Sequence, residues 1–288
     1  MAAQLLDGQK VADEKKSRLA TRVQRLTSQG KMPGLGTILV GEDAASARYV
    51  AMKHKDCAEI GIGSFHRHLP GDVSQDELNQ VIDEFNANPG VDAYLIQLPL
   101  PRHLDEVSSL MRVDPDKDVD GLHPVNLGKL VMGADGPLPC TPNGILELLN
   151  YYGVDTERSR VVIVGRGLTI GRPLSLLLTL KRPRCNATVT VVHTGTRDIS
   201  VFTKEADIVI AAAGQAHLIK GSMIRSGAAV VGAGTTFVDG KLLSDLDDDV
   251  STVAGWVTPR IGGVGPMTRA MLLENAVLAA ERHHGKDC

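Results

Sequence analysis

The stretch Val161-Val162-Ile163-Val164, running straight into Gly165-Arg166-Gly167-Leu168-Thr169-Ile170-Gly171, constrains the fold of this chain more than any other segment. A continuous β-branched run is what a strand buried on both faces of a parallel sheet requires. Glycines at the turn let backbone N–H groups come close to a ligand, and the positive end of a following helix favours a pyrophosphate. The spacing, G-x-G-x-x-x-G, is one residue longer than the usual dinucleotide fingerprint. Read alone, the segment is a dinucleotide turn or an ordinary tight strand-to-helix connection.

The next strand discriminates. An NAD site carries an Asp or Glu near the end of that strand to hold the ribose 2′-hydroxyl. Here Thr188–Val192 runs into His193-Thr194-Gly195-Thr196-Arg197, with no carboxylate. Hydroxyls, a histidine and Arg166 or Arg197 suit a 2′-phosphate, because guanidinium groups pair with phosphate oxygens. The expected cofactor is therefore NADP rather than NAD; the alternative is a plain solvated loop.

At 288 residues the chain is long enough for two domains with their own cores. A net charge of −3 gives no bulk attraction to nucleic acid, and with 3% aromatic residues there is no base-stacking platform. Cys57, Cys140, Cys185 and Cys288 form no C-x-x-C pair. Met1–Leu19 is broken by Asp7, Lys10, Asp13, Glu14, Lys15 and Lys16, unlike a signal peptide, and no stretch is apolar enough for a bilayer. No membrane association and a cytoplasmic location are expected.

An α/β alternation runs through the chain. Helical spacing covers Gln9–Leu26, and strands are expected at Thr37–Val40, His66–Leu69 and Val91–Gln97. Helices are expected at Ala45–Ile60, stopped by Gly61, and at Ser74–Asn86, with Ser74 and Glu77 as a capping box. Pro139-Cys140-Thr141-Pro142 reads as a stop followed by a helix to about Tyr152, Thr141 being the N-cap and Pro142 the first helical residue. The domain seam is placed there. Beyond it come the strands at Val161 and Thr188, the helix Ile170–Leu180, then strands Ala206–Ala212 and Ala228–Val231, which together make a parallel sheet. A last helix, Thr268–His283, follows a glycine-rich loop and is expected to return to the first domain.

Four segments carry candidate chemistry. Tyr49 and Lys53 lie four residues apart, on one face of a predicted helix. A ring can stack on a flat ligand, and a lysine shielded from water can serve as base or acid near neutral pH. Alone, the pair reads more readily as a solvated helix surface. Tyr-x-x-x-Lys also occurs in short-chain dehydrogenases, but there it follows the nucleotide turn, whereas Tyr49 precedes Gly165 by more than a hundred residues. Asp114-x-Asp116-x-Asp118-x-Asp120-Gly121 imitates the start of a calcium loop, yet the twelfth position from Asp116 is Leu127, where a glutamate is needed. No metal is expected; one carboxylate beside a glycine turn can instead accept paired N–H donors, or simply be a solvated acidic loop. Gln97 ends its strand where ligands of open α/β sheets collect, or is a polar strand end satisfied by backbone. Gly262-Gly263-Val264-Gly265-Pro266 offers close backbone approach before a helix, or is a connector.

Together these segments resemble the bifunctional methylenetetrahydrofolate dehydrogenase/methenyltetrahydrofolate cyclohydrolase family. Ser46-x-x-Tyr49-x-x-x-Lys53, Ile96-Gln97-Leu98-Pro99-Leu100-Pro101, Lys117-Asp118-Val119-Asp120-Gly121, Pro139–Pro142, Gly165-Arg166-Gly167 and Gly262–Thr268 occur in the family's order and spacing, across nearly the whole chain. The resemblance implies an α/β protein. Residues 1–140, completed by helix 268–288, would be a three-layer catalytic folate-binding domain, and residues 141–267 a Rossmann NADP-binding domain with a doubly wound parallel sheet, a cleft lying between them. It also implies a homodimer formed through the Rossmann domains and a place in one-carbon metabolism and purine biosynthesis. By resemblance Lys53 is the general acid/base, Gln97 its partner, Tyr49 the stacking ring and Asp120 the pterin anchor. Leu98, Pro99, Gly262, Gly263 and Pro266 would line the folate; Gly165, Arg166, Gly167, Ile170, Gly171, His193, Thr194, Thr196, Gly214 and Thr235 would hold NADP.

The chain departs from the family at three places. Gly167 stands where the family has a serine, Gly232-Ala233-Gly234-Thr235 where it has Asp-Val-Gly-Ile, and Arg260-Ile261 in the loop before the double glycine. The altered Gly232–Thr235 segment is the motive for one alternative, a non-catalytic dinucleotide-binding protein.

Overall fold

The computed structural model describes residues 3–238 and 241–285. In chain order the elements are β1 (Gln4–Leu5), α1 (Gly8–Ser28), β2 (Gly34–Val40), α2 (Ala44–Ile60), β3 (Gly63–Leu69), α3 (Gln75–Ala87), β4 (Ala93–Ile96), α4 (Glu106–Arg112), α5 (Pro124–Met132), α6 (Cys140–Tyr151), β5 (Arg160–Val164), α7 (Gly171–Thr179), β6 (Thr188–Val192), α8 (Ser200–Thr203), β7 (Ile208–Ala211), β8 (Ala229–Gly232), β9 (Thr235–Val238), β10 (Lys241–Ser244), β11 (Trp256–Val257) and α9 (Val264–Gly285). They form two units. One comprises Met1–Asp13, Leu130–Ala134 and Thr141–Thr268, the other Glu14–Lys129, Asp135–Cys140 and Arg269–Cys288.

The second unit is built on a parallel three-stranded sheet ordered β3-β2-β4. Every residue of β2 is buried, as the middle strand of a covered sheet must be. On one side Leu19, Val23 and Leu26 of α1 and Leu272, Leu273, Ala276 and Val277 of α9 join Leu35 and Leu95 in one apolar cluster. Ile38, Tyr94 and Ile96 form another with Leu78, Ile82 and Phe85 of α3. α3 begins at the expected capping box: Ser74 accepts from the Glu77 N–H, and the Glu77 carboxylate from that of Ser74. α2 is capped by Asp43, which accepts from the Ser46 N–H, and is stopped by Gly61 at φ +83°.

The first unit holds a six-stranded parallel sheet ordered β1-β11-β8-β7-β5-β6, together with an antiparallel β9–β10 pair. Four of these strands were legible as Val/Ile-rich runs. β1 and β11 are two residues each, and β9 and β10 are four each with no apolar/polar alternation, so none carries a period long enough to register. β1 pairs with β11, which places the N-terminal segment with this unit rather than with the helix that follows it.

Several boundaries differ from those expected. α6 starts at Cys140, so Thr141 is not its N-cap and Pro142 is its third residue, still within the first turn where a missing N–H costs nothing. α9 starts at Val264 rather than Thr268, with Pro266 likewise in its first turn. β3 begins at Gly63, its first half hidden from pattern reading because an edge strand alternates exposure irregularly. β4 is shorter than Val91–Gln97, and Gln97 lies just past its end.

Candidate functional site

In the three-stranded unit, Lys53 projects from the middle of α2 and is 4% exposed. Its Nζ donates to Gln97 Oε1 at 3.1 Å and lies 5.0 Å from the centre of the Tyr49 ring. Gln97 follows β4, the carboxyl end of a parallel strand, and its backbone N–H donates to Ile38 O. Its Nε2 donates to Leu98 O at 2.8 Å, which fixes the amide orientation and leaves Oε1 facing the amine. The Leu98–Pro99 peptide is cis; Leu98 is half-buried and Pro99 exposed.

Burial pushes the Lys53 ammonium below the ordinary lysine value, while the acidic groups of Asp120, Cys140 and Cys57 pull the other way. Burial likewise raises the Asp120 carboxyl, opposed by Lys53. Both groups are thus moved toward their neutral forms. Burial holds the Cys57 thiol up to about 12 and raises Cys140 as well, so neither supplies a thiolate near neutrality.

Asp120 stands on a braced loop. Asp118 accepts N–H bonds from Gly121 (3.1 Å) and His123 (2.8 Å) and one from Asn126 Nδ2 (2.9 Å). Gly121 has φ +70°, and a Cβ there would fall 2.6 Å from the Leu138 carbonyl carbon. Asn275, buried on α9, donates to Val119 O and to Leu138 O, both at 2.9 Å. Asp118 of the Asp114–Asp120 run therefore serves a turn. Among the described residues no His, Cys, Asp and Glu cluster is arranged to hold a metal ion. Asn275 escaped the sequence reading; an amide beside Glu274 on a helix of mixed polarity gives no signal of its own.

In the six-stranded unit the glycine turn lies between β5 and α7, at the carboxyl end of the sheet. A Cβ on Gly165, whose φ is +125°, would sit 2.2 Å from Ala212 O, and one on Gly171 would sit 2.2 Å from Gly165 O. Gly165 and Gly171 are therefore dictated by the packing of backbone on backbone. Gly167 is not, since a Cβ there meets nothing within 4 Å. Ile170 precedes the first residue of α7.

At the end of β6, the Gly195 N–H donates to His193 Nδ1 at 3.1 Å, and the His193 N–H to Thr196 Oγ1 at 3.1 Å. The same ring's Nε2 lies 3.4 Å from Arg166 Nη1, so a guanidinium and an imidazole stand side by side at this exposed strand end. Thr194 is exposed beside them. The close-packed glycine turn and the neighbouring Arg166 guanidinium fit a phosphorylated dinucleotide. Gly214 follows β7 at φ +67°, and Thr235 opens β9 opposite Ser244.

Gly232 and the 262–266 loop are explained by packing. A Cβ on Gly232 would meet Ser244 Oγ at 2.7 Å and Leu246 at 3.0 Å, so those side chains occupy the room an aspartate would need. Gly262 O accepts from the Gln9 N–H at 2.9 Å, Gly263 and Pro266 are buried, and a Cβ on Gly263 would fall 2.8 Å from Pro259 O.

A parallel sheet shaped for a dinucleotide, and a second sheet presenting a buried amine, define a pyridine-nucleotide enzyme of two-unit design. Residues 6–120 match the model of the tetrahydrofolate dehydrogenase/cyclohydrolase catalytic domain, and residues 139–284 that of the same family's NAD(P)-binding domain. The bifunctional methylenetetrahydrofolate dehydrogenase/cyclohydrolase FolD of Campylobacter jejuni is 41% identical, with a TM-score of 0.94 over 98% of this chain and 99% of that one. The Trypanosoma brucei methylenetetrahydrofolate dehydrogenase-cyclohydrolase, solved with NADP cofactor and inhibitor, is 38% identical with a TM-score of 0.93, covering 98% of each chain. The bifunctional enzyme of Thermoplasma acidophilum is 31% identical with a TM-score of 0.90 over 98% of this chain and 100% of that one. This chain belongs to the tetrahydrofolate dehydrogenase/cyclohydrolase family.

Proposed function

We infer that this protein oxidises 5,10-methylenetetrahydrofolate with NADP and hydrolyses the 5,10-methenyl product to 10-formyltetrahydrofolate. The observation that carries the hydrolytic assignment is a buried lysine whose amine donates to a neutral amide rather than to a carboxylate. Such an amine reaches its neutral, basic form more readily than a solvated one.

Asp120 accepts the ring N–H and exocyclic amine of the pterin, two parallel donors that match one carboxylate. Tyr49 stacks on the ring system, and Leu98 and Pro99, which follow Gln97 in the chain, border it. NADP, when bound, supplies the hydride acceptor. Loss of hydride from the methylene carbon leaves a cation shared by two folate nitrogens, so the protein's task in that step is to orient the substrate rather than to provide a base. In the hydrolysis Lys53 takes a proton from the water that attacks the methenyl carbon and as an ammonium returns it to the folate nitrogen whose bond to that carbon breaks, while the second water proton leaves to solvent as the formyl C=O forms. Gln97 holds the amine in line through its fixed amide.

Gly165, Ile170 and Gly171 receive the pyrophosphate, and Arg166, His193, Thr194 and Thr196 the 2′-phosphate. Gly167 leaves room along the turn, while Gly214 and Thr235 border the nicotinamide. Family resemblance supports a homodimer through the nucleotide-binding domains. Free, buried Cys57, Cys140 and Cys185 support a reducing compartment, the cytoplasm. The alternative of a non-catalytic binder loses its motive, because the Gly232 position is filled by Ser244 and Leu246.

One coupled assay tests the reading. Purified protein given 5,10-methylenetetrahydrofolate should form NADPH and then 10-formyltetrahydrofolate, with NADP preferred to NAD. Absence of NADPH formation in folded protein overturns it.

A further inference from the structure

The six-stranded unit contains a carboxylate that the sequence hides in the acidic run Asp245-Leu246-Asp247-Asp248-Asp249. Of the other three, Asp247 caps a short 3-10 turn and Asp248 and Asp249 are exposed. Asp245 is 0% exposed. Its Oδ2 accepts from the Ala213 N–H at 2.6 Å and the Gly214 N–H at 3.1 Å, and its Oδ1 from the Gln215 N–H at 2.8 Å. Three consecutive backbone donors, at the carboxyl end of β7, thus converge on one side chain. Consecutive N–H groups of this kind form a concave anion-binding nest; here the protein supplies the anion itself.

Two close contacts show what the arrangement secures. Gly234 lies so near that a Cβ there would fall 2.1 Å from Asp245 Oδ2. The segment Gly232–Thr235 therefore retains glycine at its third position for a steric reason, whatever stands at the other three. On the opposite side, Ala212 O is the atom that a Cβ on Gly165 would strike at 2.2 Å. The loop 212–215 is consequently the surface against which the dinucleotide turn is laid, and its shape is set by the three bonds to Asp245.

We propose that Asp245 is a positioning residue for NADP: by filling the nest after β7 it holds the loop 212–215 in the form that seats the glycine turn and presents Gly214 to the cofactor. The assignment rests on the NADP-binding reading above. Without the carboxylate, three buried N–H groups lose their acceptor and the loop must rearrange to find others. All the atoms joined by these bonds belong to the six-stranded unit.

The test uses the full chain carrying Asp245→Asn, which keeps the side-chain shape but presents an NH2 group to at least one N–H donor, and separately Gly234→Ala. Both should raise KM for NADP by about ten-fold or more, the effect expected when buried charge-assisted bonds are lost. Hydrolysis of supplied 5,10-methenyltetrahydrofolate, which consumes no nucleotide, should stay at the parent rate. An unchanged KM for NADP in Asp245→Asn overturns the proposal. So does parallel loss of both activities with a lowered urea midpoint, because Asp245 would then be a stability residue. A parent protein that forms no NADPH at all would instead count against the enzyme reading.

Discussion

Replacing Lys53 by Met separates the two activities. Met is unbranched and similar in length, so the volume left by the lysine stem is filled. The substitution removes the 3.1 Å bond to Gln97 and the contact 5.0 Å above the Tyr49 ring, each worth about 1 kcal/mol. It also removes the burden of a buried amine. Because burial lowers Lys53, its folded value lies below its unfolded one. The residue therefore costs stability at every pH below the folded value, and the cost is relieved as pH rises through that value toward the unfolded one. At neutral pH the lost contacts and the relieved cost oppose each other, so the urea midpoint should stay close to that of the parent or rise.

The catalytic effect is larger. A positioned proton-transfer group contributes roughly 10²- to 10⁴-fold, about 3–5 kcal/mol of barrier. Hydrolysis of 5,10-methenyltetrahydrofolate, followed by the disappearance of the methenyl chromophore, should fall by that factor, while NADPH formation from the methylene substrate persists. The parent's hydrolysis rate should climb with pH through an inflection below that of a free lysine, and the variant should lack that limb. A Lys53→Met enzyme that hydrolyses at the parent rate, or loses both activities equally while folded, refutes the reasoning.

Gly167→Ser should lower KM for NADP by roughly 3- to 10-fold, the value of one added hydrogen bond, because the new side chain enters open space; initial rates against NADP concentration check it. Gly165→Ala should instead lower the urea midpoint and weaken NADP together, since its Cβ meets Ala212 O at 2.2 Å and its φ is +125°; strain of this kind costs on the order of 1–3 kcal/mol. Arg166→Ala should shrink the NADP-over-NAD preference by about 10-fold or more, as a guanidinium–phosphate bond is lost, with little change in KM for NAD; an unaltered ratio of the two KM values removes Arg166 from the 2′-phosphate site.

Local patterns fixed much of this protein in advance. A Val/Ile run feeding glycines favours a buried strand and a tight turn, and the missing acid after Val192 points to a phosphate over a hydroxyl, because both depend on neighbours in sequence. The Ser74 capping box and Gly61 stop are equally local. What the sequence left open was whether Tyr49 and Lys53 face water or a site. Only folding answers that: Lys53 is buried because α2 lies on the sheet whose β4 ends at Gln97, a residue forty-four positions away. The same holds for Asn275, which reaches Val119 and Leu138 from α9, and for Asp245, one of four acids in a short run. Its acidic neighbours look no different in sequence, but only Asp245 is fully buried beneath three backbone donors contributed by another part of the chain. Burial and long-range hydrogen bonding depend on which distant segments the topology brings together, and no local periodicity encodes that.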